Sequence, residues 1–164
     1  MIRYAAVADV PWRNAGGRTR ELHAGAGWRL SVATIDEPAE FSAYPGLDRT
    51  LVVGRGRLDL VLGQRRRRLT EGEQVGFPGE ATVAGGPLGG PVVAVNLMTE
   101  RSRWAPVVRV VRLDGAARAA DAVVLLAGPA AVDGAELEPF DAVLGSGTAA
   151  VRAAGALLVV VSLR

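Results

Sequence analysis

The chain has 164 residues, 49% of them hydrophobic, which is enough for a sizeable core in one ordinary domain or two very small ones. Its 19 basic and 17 acidic residues leave a net charge of +2, which attracts a polyanion only weakly, so we expect no nucleic-acid partner. The chain has no cysteine, which excludes disulfides and thiolate metal sites. Its apolar runs are too short to cross a bilayer and its first residues lack an apolar leader, so we expect a cytoplasmic protein without a membrane partner.

The first conspicuous segment is PWRNAGGRTRELHAG, residues 11–25, which gathers much of the polar chemistry of the chain. It contains the only histidine, His23, two positions after Glu21, and in a strand these two side chains would face the same way. A metal site needs three or four ligands, and no second histidine exists to complete one. We therefore expect neither a metal nor another cofactor.

Short apolar runs bounded by Gly, Pro and Asp predict strands along the rest of the chain. In chain order the predicted strands are 28–35, 51–53, 58–62, 91–98, 107–113, 123–126 and 157–163. Residues 63–68, with four consecutive arginines, are expected to form a polar turn, and 114–121 a helical turn or a loop. Turn signals recur roughly every ten residues, which favours an antiparallel sandwich or barrel over βαβ units.

An internal similarity predicts two related halves. The segments LTEGEQV (69–75) and LEPFDAV (137–143) resemble each other, and a Gly-rich turn and a final apolar strand follow each of them. We expect residues 1–104 to form a barrel with a ligand pocket and 105–164 to form a degenerate second barrel, together one compact body.

Two of the predicted strands carry an unusual mixture of side chains on one face. Strict alternation puts Arg29, Ser31 and Ala33 on one face of the first, and Asn96 and Met98 on one face of another. Hydrogen-bonding groups among small or soft apolar ones suit a ligand cavity. A polar sheet face in solvent is the simpler alternative.

The opening motif resembles a known family signature. PWRNAGGRTRE is similar to the PW(K/R)NGGGxTxE signature of the HutD/Ves family. The resemblance continues through residues 28–33 and 41–50, and ends at Asn-Leu-Met, 96–98, which is similar to D-x-N-x-M. It implies an all-β cupin fold, a jelly roll, with two barrels in one chain (a bicupin). The chain departs from the motifs at Ala15, where the signature has Gly, and at Ala94, where it has Asp; since Ala94 shares the Asn96 face, we expect the pocket to lack that carboxylate.

The resemblance also implies a metal-free cupin, so that side chains and backbone amides bind the ligand. Tandem glycines would let the backbone approach a ligand closely, and arginines would act as planar forks for a carboxylate. The expected ligand-binding residues are Trp12, Asn14, Gly16, Gly17, Thr19, Arg29, Ser31, Ser42, Arg49, Asn96 and Met98.

Members of this family are linked to histidine utilisation, which implies a regulatory protein that binds a small anionic metabolite such as formylglutamate. One alternative is a metal-independent isomerase or lyase acting on a small acid or sugar, with His23, Tyr44 or Glu21 as general acid or base. Another is a structural module that binds a second protein. Cupins often dimerise, so a homodimer is left open as a partner, but nothing in the sequence specifies an interface.

Overall fold

A computed structural model describes residues 1–145 and 149–164. Apart from a short 3-10 turn at Tyr4–Ala6, the regular elements are strands, which confirms the expected all-β class. The strands are β1 (Val10–Pro11), β2 (Gly17–Gly25), β3 (Trp28–Ile35), β4 (Ala39–Glu40), β5 (Leu47–Arg55), β6 (Leu58–Leu62), β7 (Arg65–Leu69), β8 (Gln74–Pro78), β9 (Val83–Pro87), β10 (Val92–Glu100), β11 (Val107–Arg118), β12 (Ala122–Ala127), β13 (Ala130–Val132), β14 (Ala135–Glu136), β15 (Ala142–Leu144) and β16 (Ala150–Ser162). Within the described ranges, no helix has the length and apolar character that a membrane crossing needs.

Two of the sequence expectations for local structure are wrong. The predicted polar turn at 63–68 is limited to Gly63, at φ 57°, and Gln64, and the four arginines belong to β7, which pairs with β6 from Leu58 to Leu62. The predicted loop or helical turn at 114–121 instead continues β11, because its backbone pairs with β16 as far as Arg118. Both segments are stabilised by hydrogen bonds to a neighbouring strand, which local sequence does not reveal.

The described residues form two compact units. One is Ala8–Trp104, and the other joins Met1–Val7 to Ala105–Arg164. The prediction assigned the first seven residues to the first barrel. They belong to the second unit because the Arg3 guanidinium contacts the buried Asp141 carboxylate at 2.6 Å.

The first unit is built from two antiparallel sheets. Their strand orders are β1-β2-β3-β10-β5-β8 and β4-β9-β6-β7. Alternation along the strands puts an apolar set of side chains between them. This core comprises Ile35, Leu51, Val53, Leu58, Leu60, Leu69, Val75, Phe77, Val83, Val92 and Ala94.

The second unit repeats part of this strand order. Its sheet contains four adjacent strands in the spatial order β11-β16-β12-β15. This order corresponds to β3-β10-β5-β8 in the first unit. The two similar segments, 69–75 and 137–143, span corresponding connections, β7 to β8 and β14 to β15. The second core is made of small and aliphatic side chains around Val123, Leu125 and Leu158.

Candidate functional site

The pairing of three neighbouring strands in the first unit brings separated polar residues onto one face. Met98 of β10 lies opposite Arg29 of β3 on one side and opposite Arg49 of β5 on the other. One row further along, Asn96 of β10 lies opposite Ser31 of β3. Residues in register on adjacent strands point to the same side of a sheet, so these side chains share a surface.

This surface is the floor of a cavity of about 830 Å³ within the first unit. Nine of the eleven expected binding residues line it: Trp12, Asn14, Thr19, Arg29, Ser31, Ser42, Arg49, Asn96 and Met98. The other lining residues are Val10, Pro11, Arg13, Glu21, Ala33, Ile35, Glu40, Phe41, Tyr44 and Leu51. Alternation along β3 and β10 therefore correctly predicted which strand faces meet at a cavity.

The tandem glycines do not line the cavity. A Cβ on Gly17 would lie 2.4 Å from the backbone oxygen of Thr34, and one on Gly16 would lie 2.3 Å from the Ala39 Cβ. Such distances are far inside van der Waals contact. The glycines thus allow close packing of the chain against β3 and β4, where the sequence analysis expected close approach to a ligand.

Three polar side chains of the opening motif hold the rim of the cavity in place. The Trp12 indole Nε1 donates to the Thr19 hydroxyl at 2.8 Å. The Asn14 amide nitrogen donates to the backbone oxygen of Glu40 at 3.0 Å, while its oxygen accepts from the Gly16 amide at 3.1 Å. These contacts connect the segment between β1 and β2 to β4, across the cavity edge.

Ala94, which stands where the family motif has Asp, does not line the cavity. It lies on the Asn96 face, but it is fully buried and belongs to the apolar core with Ile35 and Val53. The side chain at this position therefore packs in the apolar core and is not part of the cavity lining.

Arg49 is the most unusual residue of the cavity, because it is only 8% exposed. Its guanidinium donates to the backbone oxygen of Ser42 at 3.1 Å and to the Asn96 side-chain oxygen at 3.4 Å. Its Nε is buried without a hydrogen-bond partner, and no carboxylate of the described residues forms an ion pair with it. Arg49 is therefore a buried cation held by neutral groups.

Aromatic rings surround this guanidinium. The Phe77, Tyr44 and Phe41 ring centroids lie 5.1, 5.5 and 5.7 Å from the Arg49 Cζ. Ring faces attract a cation, but this attraction stabilises the charge less than the water that the rings displace. Burial accordingly lowers the pKa of Arg49 to about 10; Tyr44 partly opposes this shift, and nearby Arg29 adds a smaller contribution that lowers the pKa.

The second guanidinium on the cavity floor is already paired. Arg29 forms an ion pair with Glu21 at 2.5 Å, and β2–β3 pairing puts Glu21 opposite Ser31, so the carboxylate lies on the cavity side of the sheet. The two arginines flanking Met98 thus differ, because one has a counter-charge in the protein and the other has none. Glu21 was not among the binding residues expected from the sequence.

The expectation that Glu21 and His23 face the same way is wrong. A β-bulge between them leaves one extra residue in β2, so that His23 pairs with Leu30 and turns to the opposite face. There its ring stacks against Trp28 with centroids 4.0 Å apart. Across residues 1–145 and 149–164, no group of three or more His, Asp or Glu side chains is placed to bind a metal ion.

Comparison with known proteins identifies relatives over most of the chain. The family model HutD matches residues 4–159. An uncharacterised 21.2 kDa protein of the hutC 3′ region of Pseudomonas putida is 35% identical over 113 residues, covering 63% of this chain and 60% of the relative. Protein Ves of Citrobacter koseri is 31% identical over 125 residues, covering 66% of this chain and 63% of the relative. The matched stretch thus spans less than two thirds of the length of either curated relative.

Solved structures give the same answer for the fold. HutD from Pseudomonas fluorescens SBW25 is 27% identical with a TM-score of 0.81, covering 99% of this chain and 97% of the other. A protein of unknown function from Pseudomonas aeruginosa PAO1, 23% identical, has a TM-score of 0.85 over 99% and 96% of the two chains. A cupin barrel protein from Leptotrichia buccalis, 10% identical, has a TM-score of 0.66 over 100% of both chains and shows the fold alone. The chain belongs to the HutD family and has the cupin-type, all-β fold that its opening motif implies.

Proposed function

We propose that this protein binds a small organic carboxylate in the cavity of its first unit and acts as a binding or regulatory module. The observation that supports this most directly is Arg49, a buried guanidinium at the cavity with no carboxylate partner among the described residues. An isolated buried charge is unfavourable, because neutral neighbours replace only part of its hydration. A bound anion would supply the missing counter-charge.

The groups around Arg49 suit a carboxylate. Its planar fork can bind two oxygens at once, and charge-assisted hydrogen bonds of this kind are the strongest that side chains form. Asn96 contributes an amide beside it, and Ile35 and Leu51 provide apolar walls. A few polar groups converging among apolar side chains are typical of small-molecule sites.

The family resemblance adds a biological setting to this chemistry. It links such proteins to histidine utilisation, and amino-acid derivatives such as formylglutamate belong to the carboxylate class that Arg49 would bind. We infer a regulatory role, in which occupancy of the cavity reports the level of a small acid.

An enzyme is less well supported by the placement of the candidate acid–base groups. His23 lies on the face opposite the cavity, and Glu21 is engaged by Arg29. A general base must reach the proton that it abstracts, and of the three candidates only Tyr44 lines the cavity without an ion pair to an arginine.

Thermal denaturation tests the proposal. The wild-type protein and R49A are each melted with formate, acetate, glutarate or formylglutamate. Each acid is compared with its neutral amide where one exists. A carboxylate present at about 100 times its Kd stabilises by about 2.7 kcal/mol, which raises the Tm by roughly 5–10 °C. R49A should abolish this rise, whereas R65A, at an exposed position on β7, should retain it. A wild-type melting curve that no carboxylate moves would refute the proposal.

A further inference from the structure

We propose that Glu21 makes the cavity selective for ligands with one carboxylate and a neutral hydrogen-bond-donating end, and that it rejects dicarboxylates. This inference rests on the proposed carboxylate binding at Arg49 and narrows the class of ligand. Formylglutamate has two carboxylates, so it should bind more weakly than an amino-acid derivative with one carboxylate and one amide end. The geometry that points to it is the unequal state of the two guanidiniums on the cavity floor.

Both arginines lie on the same row of the sheet. Arg29 and Arg49 flank Met98 from opposite sides, and both line the cavity. They are close enough to affect each other, since Arg29 contributes to the lowered pKa of Arg49. A ligand with two carboxylates would suit this pair if both guanidiniums were free.

Only one of them is free. The Arg29 Nε lies 2.5 Å from the Glu21 carboxylate, and the two side chains remain 30% and 47% exposed. The pair is therefore reachable from the cavity but already neutral as a unit. On the floor, as far as the described residues show, Arg49 is the one unpaired positive charge, whereas Arg13, also without an ion pair there, lines the cavity from the segment between β1 and β2.

A second carboxylate on the ligand would compete with Glu21 for Arg29. Two carboxylates beside one guanidinium repel each other. This repulsion weakens the binding of a dicarboxylate and leaves the affinity for a monocarboxylate unchanged, which is enough to make the site selective. An amide N–H or a hydroxyl at the same place would instead donate a hydrogen bond to a Glu21 oxygen. A carboxylate that accepts such a bond favours a group that can donate over one that cannot, although the 47% exposure of the Glu21 side chain moderates the preference.

Isosteric ligands isolate this effect from size and shape. Glutarate and its monoamide glutaramate have the same number of heavy atoms and differ in whether one end is a carboxylate or a carboxamide. A cavity of about 830 Å³ holds either without strain. We expect wild-type protein to bind glutaramate at least about tenfold more tightly than glutarate, measured by isothermal titration calorimetry at fixed salt.

The variant E21Q should reverse the order. It keeps the size of the side chain, removes the negative charge and releases Arg29 to bind a second carboxylate, so glutarate should gain about tenfold or more relative to glutaramate. The matched control is E37Q, which removes one charge at an exposed position that does not line the cavity and should keep the wild-type order. R49A should weaken both ligands.

The outcomes separate the two proposals. If neither ligand binds wild-type protein, carboxylate binding itself fails. If glutarate binds wild-type protein as tightly as glutaramate, or if E21Q and E37Q change the preference equally, the selectivity assigned to Glu21 is wrong while carboxylate binding stands. The wild-type comparison decides the question even if E21Q does not fold.

Discussion

The replacement R49M should make the protein more stable while abolishing its carboxylate binding. Methionine keeps most of the length of the side chain and removes its charge from a site that is 8% exposed. The three surrounding rings would accept a thioether about as well as a guanidinium. A buried charge at a preformed anion site is expected to lower the free energy of unfolding while it strengthens the binding of the ligand.

The magnitude follows from the shifted pKa. Burial lowers the pKa of Arg49 from its ordinary value to about 10, and each pKa unit corresponds to about 1.4 kcal/mol, so the charge costs the folded state about 3 kcal/mol. The variant also loses the hydrogen bonds to the Ser42 oxygen and the Asn96 amide oxygen, at about 1 kcal/mol each. The net gain is about 1 kcal/mol, which raises the Tm by roughly 2–4 °C.

The assay is thermal denaturation of ligand-free wild-type and R49M protein. Arg49 is protonated in both the folded and the unfolded state until the pH approaches its folded pKa of about 10, and only above that does deprotonation begin to relieve the penalty. The gain should therefore be the same at about pH 6 and about pH 8. R65M, at an exposed site, should change stability by less than about 0.5 kcal/mol. An R49M protein that melts below wild type would show that burial of the charge is not a cost.

Three further predictions concern the backbone and the surface. Ala15 has a φ of 58°, so A15G should relieve a left-handed strain of about 1–2 kcal/mol, partly offset by glycine entropy, and raise the urea midpoint; an unchanged or lower midpoint would contradict this. G17A should lose about 1–3 kcal/mol in the same assay, because its Cβ would meet the Thr34 oxygen at 2.4 Å, and wild-type stability would count against that packing. Hydrogen bonds from Arg101 at 2.9 Å lower the pKa of Glu80. The ionised carboxylate therefore stabilises the fold above the ordinary pKa of 4.5, and this stabilisation is lost as the pH falls through the lowered pKa. In R101M, carboxyl-carbon NMR should find the Glu80 pKa raised toward 4.5, and an unshifted titration would show that the hydrogen bonds do not perturb it.

Strand alternation predicted part of the cavity floor, but Arg49 lay outside the predicted strand 51–53 and was expected only from the family resemblance. Arg29 and Ser31 on one strand, and Asn96 and Met98 on another, meet because side chains in a strand alternate whatever their neighbours. The predicted strands 28–35 and 58–62 also match β3 and β6 residue for residue. Such features depend on backbone geometry that a short window of sequence specifies.

Features that depend on distant partners could not be predicted in this way. Whether Arg29 or Arg49 has a counter-ion depends on which strand lies beside it. The residues adjacent to each arginine in the sequence do not reveal that strand. The arginine run of β7 was expected to lie in a polar turn, because it follows Gly63 between two predicted strand segments. At a sheet edge those side chains extend into solvent, and Arg66 hydrogen-bonds Asp59 on the neighbouring strand.

The extra residue in β2 also decides which titratable groups the cavity contains. If the β2–β3 hairpin were one residue shorter after His23, regular pairing would turn the imidazole toward Glu21 and Arg29. The hollow would then hold an imidazole, the side chain that most often serves as a general acid or base. The length of a single hairpin therefore decides whether the cavity contains such a group.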